Sequence, residues 1–179
     1  MFDSRYNNAG ALERLERGAL VLWRVTAKDA SFRQKSATLG NGLAQTVGYE
    51  PHTGRLKSAE LRAGTALAVL TESYSYDLLG NVMLRSQRWD TGGFDETFTY
   101  DDLNRLSTSS VPTRGSQTYT YDLSGNLKTR TGVGAPGAVY AYPATGTARP
   151  HAVQSITGIG SFTYDISGNM RGGAHLHLE

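Results

Sequence analysis

Residues 121–126 read Tyr-Asp-Leu-Ser-Gly-Asn, and near copies recur: Tyr-Asp-Leu-Leu-Gly-Asn from Tyr76, Tyr-Asp-Ile-Ser-Gly-Asn from Tyr164, Tyr-Asp-Asp-Leu-Asn-Arg from Tyr100 and Tyr-Asn-Asn-Ala-Gly-Ala from Tyr6. Reacting residues converge at one place and have no need to recur along a chain, whereas a structural unit does. Aligned on the tyrosine, the repeat phase falls at Tyr6, Lys28, Tyr49, Tyr76, Tyr100, Tyr121, Tyr142 and Tyr164, a spacing of 21–27 residues. All ten tyrosines occupy this phase or the position two residues before it.

That offset of two is a strand signal. Tyr74-Ser75-Tyr76, Phe98-Thr99-Tyr100, Tyr119-Thr120-Tyr121, Tyr140-Ala141-Tyr142 and Phe162-Thr163-Tyr164 each set two rings around a small or polar residue. Alternation of this kind predicts a strand with its rings on one face. The residues that follow predict a corner. Asp77, Asp101, Asp122 and Asp165 can accept bonds from backbone amides a few residues on, and Gly80, Gly125 and Gly168 supply the positive φ of a bulged hairpin. Each unit is then two antiparallel strands. Because a lone hairpin cannot bury its ring face, neighbouring units must pair edge to edge. The roughly helical spacing of Leu12, Leu15, Ala19 and Leu22 is interrupted by Gly10 and Gly18, and reads as strand.

Several units depart from the pattern. Lys28 stands for the tyrosine and Phe32 for the turn glycine, Pro143 replaces an Asp, Pro51 to Thr53 lengthen one corner, and Asn104 replaces a glycine. Asn tolerates the left-handed region, so Asn104 should be mild; the others should loosen their corners.

The 179 residues suffice for one or two domains and for a buried core. With 21 glycines, 10 tyrosines and 19% charged residues, the composition is that of a turn-rich folded chain rather than a disordered one. The 18 Lys and Arg are dispersed and the net charge is +2, which argues against nucleic acid or an anionic membrane as partner. No apolar run approaches the roughly 20 residues of a membrane span. There is no cysteine, and the opening Met-Phe-Asp-Ser-Arg lacks the basic start and apolar middle of a signal peptide. Leu178-Glu179 reads as a cloning remnant, so residues 1–174 are taken as an array of about eight units, several degenerate, and residues 175–179 as a tail.

Candidate chemistry is sparse. Asp90-Thr91-Gly92 spells an aspartic-protease signature, but that chemistry needs a second, proton-sharing carboxylate of the same kind, and the stretch reads as a hairpin turn. Carboxylates of the repeat corners that accept backbone amides are held as unreactive anions. His175 and His177 lack a third ligand nearby, and His52 and His151 stand singly beside prolines with nothing to orient them. Leu39-Gly40-Asn41-Gly42-Leu43 lacks the lysine and the helix of a phosphate loop. No catalytic residue, metal or cofactor is expected. The tyrosine ladder is read as packing; stacked phenols binding a sugar are the alternative.

Tyr-Asp-x-x-Gly-Asn/Arg-Leu at about 21-residue spacing, from Tyr6 to Met170, resembles the YD repeat of Rhs proteins, found also in teneurins and in the C component of Tc toxins. Two further stretches are similar to the bacterial Rhs pattern: Trp23 to Leu56, with its Leu-Gly-Asn-Gly ahead of a Thr-Gly-Arg-Leu corner, and Arg-Pro-His-Ala-Val from Arg149. The resemblance implies an all-β fold of antiparallel hairpin repeats in one long, curved, twisted sheet, a segment of a β-spiral shell. It implies a non-catalytic role, with the C-terminal toxin of the parent polypeptide as enclosed cargo and a secreted or cell-surface location through that parent. The structural residues it assigns are Tyr6, Tyr49, Tyr76, Asp77, Gly80, Tyr100, Asp101, Tyr121, Asp122, Gly125, Tyr142, Tyr164, Asp165 and Gly168. A strip of such a wall should associate edge to edge with itself. The alternative role is a cell-surface module binding carbohydrate or protein.

Overall fold

A computed structural model describes residues 2–65, 68–132 and 136–173. Strands run β1 (Asp3–Tyr6), β2 (Leu12–Arg17), β3 (Leu20–Lys28), β4 (Gln34–Leu39), β5 (Leu43–Tyr49), β6 (Leu56–Ala63), β7 (Ala68–Tyr76), β8 (Val82–Trp89), β9 (Gly92–Tyr100), β10 (Leu106–Val111), β11 (Gly115–Tyr121) and β12 (Leu127–Arg130). They are hydrogen-bonded in chain order as one sheet. Two smaller sheets follow: β13 (Tyr140–Ala141), β14 (Ser155–Ile156) and β15 (Gly160–Ser161), then β16 (Thr163–Tyr164) with β17 (Met170–Gly172). No helix occurs among the described residues, so none is long and apolar enough to cross a membrane. The fold is all-β and antiparallel, as the alternation of rings and small residues requires. The stretch from Leu12 to Leu22, with its near-helical spacing, is two strands joined at Gly18, whose φ of 61° makes the reversal.

The chain divides into two compact units, residues 1–97 and 98–179. In the first, the hairpin register steps at the tyrosine every time. Gly48 faces Ser58 but Tyr49 faces Leu56, and Ser75 faces Leu84 but Tyr76 faces Val82. At β1, Arg5 faces Arg14 and Tyr6 faces Leu12. The second unit repeats this step at Tyr121, opposite Leu127, and at Tyr164, opposite Met170. One residue is left out of register after each corner, on the strand that leaves it, which is a β-bulge in every such hairpin.

The enclosed core that the chain length would permit is not built. Among the described residues only Ala37, Ala138 and Ile156 are buried apolar residues, and no large side chain is fully buried. Hairpins hydrogen-bonded in series spread their apolar groups along a sheet face instead of wrapping them in a second layer. Most rings and aliphatic side chains are therefore half-covered by their neighbours along and across strands.

Candidate functional site

The corners that begin with Asp are closed by one set of bonds. At Asp77 the backbone amide donates to the Asn81 carbonyl (3.0 Å) and the Gly80 amide to the Asp77 carbonyl (3.2 Å). The Asp77 carboxylate accepts the Gly80 and Asn81 amides at 2.7 and 2.8 Å, and the Asn81 side chain at 2.8 Å. Asp101 is bonded to Leu103 and Arg105, Asp122 to Ser124 and Asn126, and Asp165 to Asn169 in the same way. The turn glycines Gly80, Gly125 and Gly168 have φ of 99°, 84° and 88°, outside the range that side chains favour.

These bonds fix the charge state. The Asp77 carboxyl is held below its ordinary 3.8, first by the Asn81 side chain and then by backbone amides, against opposing desolvation. Asp101 is held down chiefly by Arg105, and Asp165 by the Asn169 backbone amide. At Asp122 desolvation is the largest single influence and acts upward, but the Asn126 bonds outweigh it. Lone pairs committed in this way are unsuited to proton transfer.

Two expectations, one for a degenerate corner and one for a lone histidine, are not met. The corner at Asp29, lacking both tyrosine and glycine, is not loosened. Its carboxylate accepts the Ser31 and Arg33 amides at 2.9 and 3.0 Å, and Phe32 takes the glycine's place at φ 62°. The Asp side chain supplies enough bonds to force a phenylalanine into the left-handed region. His151, read as unoriented, is held through Nδ1 at 2.6 Å from the Asn126 side-chain oxygen. Asn126 is buried and also donates to the Pro150 carbonyl, so this pair ties a corner to the loop before β14. Asn104 adopts φ 60° with its corner bonds intact.

The tyrosines join one unit to the preceding one. The Tyr49 hydroxyl donates to the Gln34 carbonyl (3.0 Å), Tyr76 to Leu56 (2.7 Å), Tyr121 to Leu106 (3.0 Å), Tyr142 to Leu127 (2.9 Å) and Tyr164 to Val153 (2.9 Å). In the first four the acceptor is the first residue of the strand that leaves the previous corner. Burial raises the Tyr76, Tyr121 and Tyr142 phenols above the ordinary 10.0, with nearby carboxylates adding to it, which keeps them donors.

Arginines reinforce the same joints. Arg33, Arg55 and Arg105 each close a corner and lie 4.3, 5.6 and 4.5 Å over the rings of Tyr49, Tyr76 and Tyr121 of the next unit. Arg33 also donates to the Gly54 carbonyl at 2.7 Å. A net hydrogen bond of about 0.5–1.5 kcal/mol and a cation–π contact of about 0.5–1 kcal/mol thus recur at successive joints. Sequence reading found the tyrosine phase but neither of these bonds. The signal for the arginines was present: each follows the repeat phase of its unit by five or six residues.

Two further phase residues end their strands at a corner. Tyr6 ends β1, with its corner closed through Asn7 but its ring 62% exposed. Tyr100 ends β9 ahead of the Asp101 corner. Asp90 lies exposed in the turn between β8 and β9, while the nearby Asp95 is engaged by Ser86 and Arg88. Among the described residues no group of three or more His, Asp or Glu could hold a metal ion. His175 and His177 lie outside the described residues.

No family profile matches the chain, and no curated protein does. Solved structures do. A TcdB2-TccC3-Cdc42 crystal structure matches with a TM-score of 0.68 at 17% identity, covering 94% of this chain and 11% of that one. The Photorhabdus luminescens Tc holotoxin pore with mutation TccC3-D651A matches at 0.65 and 18% identity, again over 94% and 11%. The TcdB2-TccC3 structure matches at 0.68 and 17%. This chain therefore spans about a tenth of the length of the solved chains it matches. At this identity the likeness concerns architecture: the chain has the fold of the Rhs/YD-repeat arrays present in these Tc toxin components.

Proposed function

We propose that this chain is a non-catalytic wall segment of an Rhs-type toxin shell, an array over residues 1–174 whose parent polypeptide encloses a C-terminal toxin. The observation that carries the reading is the run of tyrosine-to-carbonyl joints. A container needs continuity of sheet, and these bonds repeat a connection rather than converge on a reacting centre. The likeness in fold to Tc toxin components supports it. So does the exposure of apolar side chains at the corner tips, Leu78, Leu123 and Ile166, which suits a strip designed to be covered by more of the same assembly.

Limited proteolysis tests this in the polypeptide that carries the array. Gly80→Val and Gly125→Val place a β-branched residue at positive φ and break two corners. The segment downstream of the repeats should be protected in the parent and cut rapidly in the double variant; equal cutting in both refutes enclosure.

The alternative, a carbohydrate-binding module, has one observation in its favour. The Trp89 indole, 39% exposed, lines a cleft of about 290 Å3 with Arg62, Thr71, Arg88 and Asp90, an aromatic platform beside polar groups. Quenching or enhancement of tryptophan fluorescence on titration with an oligosaccharide panel would support it, and a flat response to the panel would dismiss it.

A further inference from the structure

One unit of the array has no Asp corner. After Tyr142 the residue that should close the turn is Pro143, which offers no carboxylate, and the acceptor of the next joint arrives late. Val153 stands eleven residues after Tyr142, whereas Leu106 and Leu127 stand six after Tyr100 and Tyr121. The intervening residues 143–153 form a strap. Its backbone closes two short turns, the Thr147 amide donating to the Ala144 carbonyl (3.1 Å) and the Ala152 amide to the Arg149 carbonyl (3.0 Å). The second turn is strained: Arg149 lies at φ 59°, a region side chains disfavour, and a following proline pushes a residue toward extended backbone as well.

What holds the strap is Asn126, a buried residue of the preceding corner. Its Nδ2 donates to the Asp122 carboxylate and to the Pro150 carbonyl, both at 3.2 Å, so the carboxamide oxygen is the end that faces His151. An amide oxygen only accepts, and at 2.6 Å from it the His151 Nδ1 must carry the hydrogen. The neutral imidazole is thereby fixed in its Nδ1–H form. Strained backbone persists where its surroundings over-determine it, and the two residues that follow Arg149 are the two that Asn126 grips. Just beyond them the Val153 carbonyl accepts the Tyr164 hydroxyl at 2.9 Å, and the Gln154 amide donates to the Ala141 carbonyl at 2.7 Å. The grip of Asn126 therefore sets where the acceptor of the next joint lies.

We propose that residues 143–153 are a cocked strap whose catch is the Asn126–His151 bond. While the bond is made, the strap stands in for the missing corner and presents Val153 to Tyr164. When it breaks, Arg149 relaxes and the strap lifts, opening the array at this unit alone. The strap lies inside the array, between the phase residues Tyr142 and Tyr164, so neither end of the chain creates it. The inference holds whether or not the parent encloses cargo.

Amide hydrogen exchange at neutral pH tests it, with the full chain and two variants. His151→Phe keeps a ring but has no donor, and leaves the buried Asn126 oxygen unpaired. Its Ala152 and Gln154 amides should exchange about tenfold faster or more, while the Gly80 and Asn104 amides, in the corners at Asp77 and Asp101, keep the parent rate. His151→Asn sets its Nδ2 where the imidazole Nδ1 stood and should exchange like the parent. Nitrogen NMR shifts of the neutral His151 ring in the parent should place the proton on Nδ1. Parent-like exchange in His151→Phe, acceleration shared equally by Gly80 and Asn104, His151→Asn as fast as His151→Phe, or a neutral ring protonated on Nε2 overturns the proposal.

Discussion

Replacing Phe32 with glycine should stabilise this protein, although it removes the largest side chain of its corner. Phe32 sits at φ 62°, where a side chain costs about 1–2 kcal/mol relative to glycine. Its ring is 80% exposed, so little apolar burial is forfeited. Against the relief stands the greater freedom of glycine in the unfolded chain, about 0.5–1 kcal/mol. The Asp29 bonds to Ser31 and Arg33 use backbone atoms and survive the change. The balance is a gain of about 0.5–1 kcal/mol, or a rise in Tm of about 1–4 °C for a chain of this size. Calorimetry on the parent chain, Phe32→Gly and Phe32→Ala separates the causes. Alanine removes the ring but keeps the Cβ strain, so it should bring no comparable gain. A Phe32→Gly protein that melts at or below the parent, or together with Phe32→Ala, refutes the strain argument.

Other expectations follow from the corners and joints. Tyr76→Phe and Tyr121→Phe remove one hydroxyl donor each while leaving the ring under its arginine, and each should cost about 1 kcal/mol in urea unfolding. Gly125→Ala meets no atom within 4 Å and should cost only its backbone strain, about 1–2 kcal/mol; Gly80→Ala drives its Cβ into the Arg55 guanidinium as well and should cost more in the same assay. Asp77, Asp101 and Asp165 have carboxyls lowered in the folded state, so the unfolded chain binds more protons in acid. Their stabilisation is present above the ordinary value of 3.8 and is lost as the pH falls below it, so Tm should fall over that window and Asp77→Asn should flatten the fall.

The sequence made the local half of this architecture readable. Asp-x-x-Gly is a backbone instruction written within five residues, so the corners at Asp77, Asp122 and Asp165 were accessible, and ring alternation gave the strands. The Tyr76 bond to Leu56 spans 20 residues and depends on the register between strands, which no local pattern displays. The missing glycine at Phe32 is a poor guide to its corner, because the Asp29 carboxylate dominates that turn. His151 gained its partner from a corner 25 residues away, a proximity created by the loop that returns before β14.

The joints also have a direction. Every hydroxyl among Tyr49, Tyr76, Tyr121, Tyr142 and Tyr164 reaches toward lower residue numbers. On a ribosome, or during threading through a pore from the N-terminus, each phenol emerges after the carbonyl it needs. The array can therefore be laid down course by course, each finished course serving as template for its successor, with no unit waiting on chain still to be made.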